Sequence, residues 1–252
     1  MPNSTSPYDS IFYEYQREGA LRSARIMLPV LHRMLSIKSV LDVGCGAGAW
    51  LRAHQDNGVS DIVGVDGDYV DSNMLLIEPA RLLAMDITTP LDLGRQFDLV
   101  QCLEVAEHVS KAAAEILIGN LIRHGRFILF SAAVPGQGGA EHINERPLCY
   151  WRGLFARRGF HVFDPLRPAV ANNPDIDWWY RYNTLLYVHE SQLATLPHAT
   201  KATEIPADQA IRDLSPLAMK IRKLLLRALP SNIVSAMAKF KHRQFVRALE
   251  RH

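Results

Sequence analysis

Val40-Leu41-Asp42-Val43-Gly44-Cys45-Gly46-Ala47-Gly48 is the segment that decides the fold. An apolar run, which predicts a buried strand, leads directly into a glycine-rich turn, and a helical pattern begins at Ala49. Glycines in such a turn permit positive φ angles and a close approach of the backbone to a ligand. In an open α/β sheet, ligands bind beyond the carboxyl ends of the strands, where this turn would lie.

Short apolar segments alternate with helical patterns from about residue 38 to residue 190. The predicted strands are Ser39–Val43, Asp61–Asp66, Leu82–Asp86, Phe97–Leu103, Arg126–Ala132, Phe160–Phe163 and Thr184–His189. The predicted helices among them include Ala49–Asn57, Lys111–Arg123 and Leu148–Arg158. This alternation predicts a doubly wound, mostly parallel α/β sheet of seven strands with helices on both faces. The last strand should run antiparallel, because no crossover helix precedes it.

The ends of the chain differ from this middle. We predict an N-terminal helical cap over residues 1–36, the α/β domain over 37–190, and a linker with a basic amphipathic helical tail over 191–252. On one side of the first helix of the tail lie Leu217, Ile221, Leu224, Leu225 and Ala228. After Pro230 we predict a second helix, capped by Ser231, with Ile233, Met237 and Phe240 on one face. The tail packs on the domain or on a second subunit of a homodimer, or it is a peripheral membrane anchor.

Composition narrows the class of protein. The 252 residues carry a formal net charge of +2, which gives no reason to expect a nucleic-acid partner. The three cysteines are widely spaced and lack a CxxC pair, which argues against disulfides or a zinc site. The N-terminus lacks the pattern of a signal peptide, and no apolar run is long enough to span a bilayer. We therefore expect a cytoplasmic protein, with the inner membrane as its only candidate membrane contact.

The glycine-rich turn alone leaves the ligand open. Gly44-x-Gly46-x-x-Ala49 also satisfies the looser dinucleotide fingerprint, and Asp66 ends the second strand, where an NAD enzyme keeps its ribose-binding acid. S-adenosylmethionine has a ribose as well, so a carboxylate at this position suits both ligands. A tight turn that binds no ligand is the third alternative.

Further motifs favour one of these ligands. They are Ser23-Ala24, LDVGCGAGAWL, GVDGDYV, FDLVQCLEVAEHV, FSAAVPGQGGAEHINE and WWYRYN. Together they resemble the successive motifs of class I S-adenosylmethionine-dependent methyltransferases, and more closely one bacterial family within that class. The resemblance covers residues from about 8 to 190, and the combination is far more specific than the glycine turn.

The resemblance implies a cofactor site at the ends of the first four strands. Its residues would be Asp42, Gly44, Gly46, Gly48, Asp66, Asp86, Ile87, Cys102 and Leu103. The glycines would approach the methionine part of S-adenosylmethionine, Asp66 would accept hydrogen bonds from both ribose hydroxyls, and Asp86 with Ile87 would contact the adenine. Cys102 and Leu103 would lie beside the sulfonium. Both aspartates have a structural alternative, since Asp also caps helices and begins turns.

The acceptor side carries two histidines, each on a loop after a predicted strand. His142, in the glycine-rich segment after the fifth strand, is the expected general base, and His108 is its expected partner. Glu145 either orients His142 or begins the next helix, and we favour the helix. A metal site from Glu104, His108, His142 and Glu145 is conceivable, but no dedicated ligand spacing supports it, so we predict none.

Aromatic and basic residues provide candidates for acceptor binding. These are Tyr13 near the N-terminus and Trp179 and Arg181 in the segment Trp178–Asn183, whose alternate side chains would face inward. The leading prediction is O-methylation of a small-molecule or glycan hydroxyl. The alternatives are methylation of nitrogen or a carboxylate, an NAD(P)-dependent oxidoreductase, and a cofactor-binding subunit without activity.

Overall fold

The computed structural model describes residues 7–230 and residues 233, 234, 236, 237, 240 and 244, with side chains from Glu14 onward. In this part of the chain one sheet contains the strands β1 (Ser39–Val43), β2 (Asp61–Asp66), β3 (Leu82–Ala84), β4 (Leu99–Leu103), β5 (Phe127–Ser131), β6 (Phe160–Phe163) and β7 (Leu185–His189). Their order is β3-β2-β1-β4-β5-β7-β6. β7 runs antiparallel to both of its neighbours, β5 and β6, and the other neighbouring strands are parallel. The predicted fold class and the antiparallel last strand are confirmed.

Helices cover both faces of the sheet. They are α1 (Pro7–His32), α2 (Ala49–Asp56), α3 (Lys111–His124), α4 (Leu148–Ala156), α5 (Arg167–Val170), α6 (Trp178–Asn183), α7 (His198–Lys201) and α8 (Leu217–Arg227). Short 3-10 helices span Ser72–Met74, Pro79–Arg81 and Glu190–Thr195. Among the described residues, no helix combines the length and the apolarity needed to cross a membrane.

The sheet is the middle of three layers, with one apolar core on each face. On one face, Met27 and Leu28 of α1 pack with Trp50 of α2, so α1 belongs to the same core as the sheet. On the other face, α3 and α4 pack with the sheet, and the rings of Phe155 and Tyr187 stack at 4.1 Å. Two covered faces require strands that are apolar on both sides, which explains their continuous apolar runs.

The strand order reverses between β1 and β4, which are adjacent in the sheet. After β1 the chain proceeds outward to β2 and β3, whereas β4 leads outward to β5 on the opposite side. The loops that follow β1 and β4 therefore separate and leave a crevice at the carboxyl edge of the sheet. The candidate site lies in this crevice.

Candidate functional site

The glycine-rich turn after β1 forms the floor of the site. Gly44 and Gly46 have positive φ angles of 82° and 52°. The amide of Gly44 donates to the carbonyl oxygen of Val65 at 2.7 Å, which holds the turn against the end of β2. A Cβ atom on Gly44 would lie 2.5 Å from Cγ2 of Val105, so no larger residue fits beneath the loop after β4.

A cleft of about 720 Å³ lies above this turn, beyond the ends of β1 to β4. This volume is within the roughly 300–1,000 Å³ of pockets that bind small molecules. The cleft is lined by Gly44, Gly46, Asp66, Gly67, Asp68, Tyr69, Ala84, Met85, Asp86, Ile87, Thr88, Glu104, Val105, His108 and Val109. Five of the predicted cofactor residues are therefore brought together here: Gly44, Gly46, Asp66, Asp86 and Ile87.

Asp66 connects the turn to the cleft. Its Oδ2 accepts a hydrogen bond from the Gly46 amide at 2.6 Å, and its Oδ1 accepts from the Gly67 amide at 2.7 Å and the Tyr69 hydroxyl at 2.5 Å. No helix starts here, since the next helical turn begins at Ser72 and is capped by Asp71, so the N-cap alternative for Asp66 is wrong. The role of Tyr69, whose ring is 80% exposed over Gly67, was missed although GVDGDYV contains it.

Asp86 has a structural role of its own. Its Oδ1 accepts hydrogen bonds from the amide of Thr88 at 2.8 Å and from the hydroxyl of Thr88 at 2.6 Å. These bonds lower the pKa of Asp86. Asp86 thus begins a turn, which was the structural alternative to its role in cofactor binding. Its side chain also lines the cleft.

The other predicted cofactor residues lie outside the lining of the cleft. Cys102 and Leu103 are buried in β4, and Gly48 starts α2 with a φ angle of 77°. Asp42 is buried beneath the glycine turn, and burial raises its pKa to about 7 despite the neighbouring Gln101 amide. Asp42 is therefore a buried residue of β1 that does not line the cleft.

The two predicted histidines meet at the rim of the cleft. The ring of His108, which lines the cleft, contacts the ring of His142 edge-on, with the centroids 4.9 Å apart. Their loops are joined because the amides of Ile143 and Asn144 donate to the carbonyl oxygen of Glu107 at 2.9 and 3.0 Å. Desolvation, followed by the proximity of His142, lowers the pKa of His108.

Glu145 holds the His142 loop in shape. Its Oε1 faces Nδ1 of His142 at 3.0 Å, and its two oxygens accept hydrogen bonds from the amides of Gly136 and Gly138, both at 2.7 Å. Burial opposes ionisation, but these hydrogen bonds outweigh it and lower the pKa of Glu145. The expectation that Glu145 begins the next helix is wrong, because α4 begins only at Leu148, after Pro147.

Two buried carboxyl groups lie behind the histidines. Glu104, at a positive φ of 57°, accepts hydrogen bonds from the side-chain amide of Gln137 at 2.8 Å and from that of Asn183 at 3.4 Å. Glu107 is 1% exposed. Burial raises the pKa of both carboxyl groups, and Glu104 raises that of Glu107 further. No sequence motif indicates the contacts of Gln137 and Asn183 with Glu104, because the three residues come from distant segments.

Two of the predicted acceptor-binding residues, Trp179 and Arg181, do not line the cleft. Trp179 packs against the core beside α1, and Arg181 donates to the carbonyl oxygen of Asn173 at 2.8 Å while its guanidinium lies over the ring of Tyr182. The expected alternation of inward side chains is wrong, because Trp178–Asn183 forms α6 and not an extended segment. Tyr13 belongs to α1, but its side chain is outside the described part of the structure.

Helix α8 packs on the glycine-rich loop that carries His142. A Cβ atom on Gly136, whose φ is 81°, would lie 2.1 Å from the carbonyl oxygen of Lys223. The side chains of Arg222 and Arg227 donate to the carbonyl oxygens of Gln137 at 3.0 Å and Pro135 at 2.8 Å. The close approach of α8 therefore explains Gly136, whereas a Cβ atom on Gly139 would lie 2.2 Å from Nε2 of His142.

The apolar side of α8 faces outward. Four side chains there are more than half exposed: Leu217, Ile221, Leu224 and Leu225. Met219 and Leu226, on the opposite side, are only partly exposed, and Lys223 is 6% exposed and paired with Asp213. The helix thus packs on the domain through the side that the sequence pattern left outside its apolar stripe. Of the predicted second helix, Ile233, Met237 and Phe240 are exposed, while its cap Ser231 lies outside the described residues.

Comparisons with known proteins identify the family of the domain. Residues 13–165 match a family model described as a methyltransferase domain. A segment of 51 residues is 47% identical to ribosomal RNA large subunit methyltransferase E of a Caulobacter strain; it covers 20% of this chain and only 21% of that enzyme.

Solved structures with a similar fold share little sequence. Magnesium protoporphyrin IX methyltransferase of Synechocystis, solved with S-adenosylmethionine, is 15% identical over 75% of this chain and 87% of its own, with a TM-score of 0.47. A sugar N-methyltransferase from Streptoalloteichus is 18% identical over 75% of this chain and 95% of its own, also with a TM-score of 0.47. The family model, which spans more than half of the chain, therefore carries the assignment.

Proposed function

This chain belongs to the methyltransferase domain family and is an S-adenosylmethionine-dependent enzyme, and from that premise we propose that it methylates a hydroxyl oxygen of a small molecule or a glycan. The family decides the cofactor in favour of S-adenosylmethionine over a nicotinamide. The acceptor is the finer question, and the chemistry at the rim of the cleft supports our answer to it.

The cleft residues fit the cofactor. Asp66 offers two carboxylate oxygens at the cleft, and the exposed ring of Tyr69 can swing away so that ribose hydroxyls take the place of its own. Gly46 has only open space where a Cβ would project, which leaves room for a ligand against the backbone. S-adenosylmethionine supplies a methyl carbon already activated by a positively charged sulfur.

The observation that carries the proposal is the pairing of His142 with Glu145 beside His108. Because Nδ1 of His142 is bonded to Glu145, Nε2 is the nitrogen that can accept a proton from a hydroxyl at the rim. The acceptor oxygen would form a bond to the methyl carbon while the carbon–sulfur bond breaks. The electron pair of the broken carbon–sulfur bond would stay on sulfur. The hydroxyl proton passes to Nε2 and then to solvent.

Matched acceptors test this proposal. With an isotopically labelled methyl group on S-adenosylmethionine, we would supply glycosides that differ only in carrying a hydroxyl, an amine or a carboxylate. Label in alkali-stable methyl ethers is the expected result, located by mass spectrometry and NMR. Label found only in N-methyl groups or in alkali-labile esters would refute an oxygen acceptor while leaving the cofactor assignment intact.

We further propose that α8 contacts an anionic membrane surface, so that a cytoplasmic enzyme meets a lipid-linked acceptor. The exposed side of α8 is apolar, and Lys220 flanks it. From residue 215 to the end the sequence has one acid, Glu250, against nine basic residues. Three of them, Arg222, Lys223 and Arg227, bind the domain. The six at positions 220, 239, 241, 243, 247 and 251 are the candidates for contact with the surface. Basic residues near an anionic surface contribute about 1 kcal/mol each, less in high salt.

Vesicle flotation tests the membrane proposal. The full chain should float with vesicles rich in an anionic phospholipid, but not with neutral vesicles, and less at high salt. Leu224→Ser should weaken binding roughly tenfold, because burying a leucine contributes about 1.5 kcal/mol or more. Ile116→Ser, at an exposed site on α3, is the matched control. If Leu224→Ser lowers the molar mass measured by light scattering but leaves flotation unchanged, the apolar side of α8 binds a second subunit and not a membrane.

A further inference from the structure

The pair of histidines at the rim belongs to a larger cluster. A carboxylate oxygen of Glu107 and one ring nitrogen each of His108 and His142 lie within 4.8 Å of one another. The three side chains come from two loops, and the hydrogen bonds between Glu107 and residues 143 and 144 fix one loop on the other. Three ligand atoms so close together can contact one small ion.

Glu107 is the member that the methyl-transfer mechanism does not use. Its Oε2 is buried and has no hydrogen-bond partner among the described residues. A buried carboxylate oxygen without a partner is costly, and such groups are normally hydrogen-bonded, paired or bound to a metal. Glu104, which lies nearby, adds a second buried carboxyl group to the same place.

Among the described residues, neither Glu104 nor Glu107 forms an ion pair with an arginine or a lysine. Gln137 and Asn183 bind Glu104 through neutral amides, which supply no positive charge. A divalent cation in the cluster would supply the missing positive charge.

Glu145 completes the arrangement from behind. By bonding Nδ1 of His142, it leaves Nε2 as the ring nitrogen available to a metal, which is the usual pattern of a carboxylate behind a metal-binding histidine. His108 is exposed on the cleft side, so an ion could enter from there. Three protein ligands leave further coordination positions for an acceptor.

We propose that Glu107, His108 and His142 bind a first-row divalent cation that holds the acceptor oxygen at the rim of the cleft. Two imidazoles and a carboxylate suit Mn²⁺, Fe²⁺, Co²⁺ or Zn²⁺ better than Mg²⁺ or Ca²⁺, which prefer oxygen ligands. The proposal rests on the proposed oxygen acceptor and changes one step: the hydroxyl bound to the cation loses its proton to water, and His142 is a ligand and not the base.

Mn²⁺ is the probe for the test, with the full chain freed of metal by a chelator. Titration followed by EPR should show one Mn²⁺ bound per chain, and pulsed EPR should show coupling to imidazole nitrogen. Glu107→Gln and His108→Ala should each lower the affinity at least about tenfold, and Glu145→Gln about 10–100-fold through the orientation of His142. The exposed His108 is replaced without disturbing the core, so its variant remains informative if Glu107→Gln fails to fold.

Glu78→Gln, an exposed carboxylate outside the cluster, is the control and should leave Mn²⁺ binding unchanged. Absence of binding, or binding that survives His108→Ala without nitrogen coupling, would overturn the metal site. Transfer to a hydroxyl that continues undiminished after chelation would also overturn it, while the proposed function would stand. Conversely, Mn²⁺ bound by the cluster with transfer to nitrogen alone would leave the site intact and refute the oxygen acceptor.

Discussion

His142→Ala is expected to lower the turnover number about 10²–10⁴-fold, the usual contribution of a positioned proton-transfer group. The dissociation constant for S-adenosylmethionine should remain nearly unchanged, because His142 is not part of the cleft lining formed after β1 and β2. Single-turnover kinetics with the hydroxyl acceptor and calorimetry with the cofactor measure the two quantities separately. The loss follows whether His142 accepts the proton or holds a cation.

The matched control is His198→Ala, which removes an exposed histidine from α7. It should keep full activity. Glu145→Gln should lower turnover less than His142→Ala, since it keeps the imidazole but weakens its orientation and the hold on Gly136 and Gly138. A His142→Ala variant that retains most of its activity would exclude both roles of His142 and favour an acceptor that needs no activation.

The second large effect is expected at Asp66. If the Asp66 carboxylate accepts hydrogen bonds from two ribose hydroxyls, its removal should weaken cofactor binding by about 2–4 kcal/mol. The dissociation constant should then rise at least by tens-fold. Calorimetric titration of Asp66→Ala with S-adenosylmethionine tests this. Asp66→Asn should lose less, because its amide oxygen still accepts one hydrogen bond.

Two measurements separate a lost ligand contact from a disturbed turn. Asp66 also holds the amides of Gly46 and Gly67, so thermal unfolding of Asp66→Ala should be followed without cofactor. Asp208→Ala, at an exposed aspartate of the linker, controls for the loss of a surface charge. An unchanged cofactor dissociation constant in Asp66→Ala would remove Asp66 from the site.

The sheet could be predicted because its information is local. The predicted bounds of β1, β2 and β6 agree with the structure, since each is a short apolar run ended by a turn. The predicted third, fourth and fifth strands are one or two residues too long at their ends, where the chain leaves the hydrogen-bonded ladder. The glycine turn and Asp66 were found for the same reason.

The acceptor side could be predicted only in part, because its contacts join distant segments. Both histidines were recognised, but Glu107 gained importance only when the loop carrying His142 was seen to dock on it. Helix α8 shows the same limit. Its pattern gave a correct helix, but the side that packs was decided by polar contacts to the carbonyl groups of Pro135 and Gln137, which no hydrophobic pattern reveals.

The contact between α8 and Gly136 has a consequence for hydrogen exchange in the loop that carries His142. The amide hydrogens of Gly136 and Gly138 are bonded to Glu145. In the same loop, the carbonyl oxygens of Pro135 and Gln137 accept hydrogen bonds from arginines of α8. Opening of the loop therefore requires loss of the α8 contacts, and the two segments form one cooperative unit of local unfolding. In a chain shortened before residue 217, the amides of Gly136 and Gly138 would keep their bonds to Glu145 but lose the contacts of α8, so they should exchange faster than in the full chain.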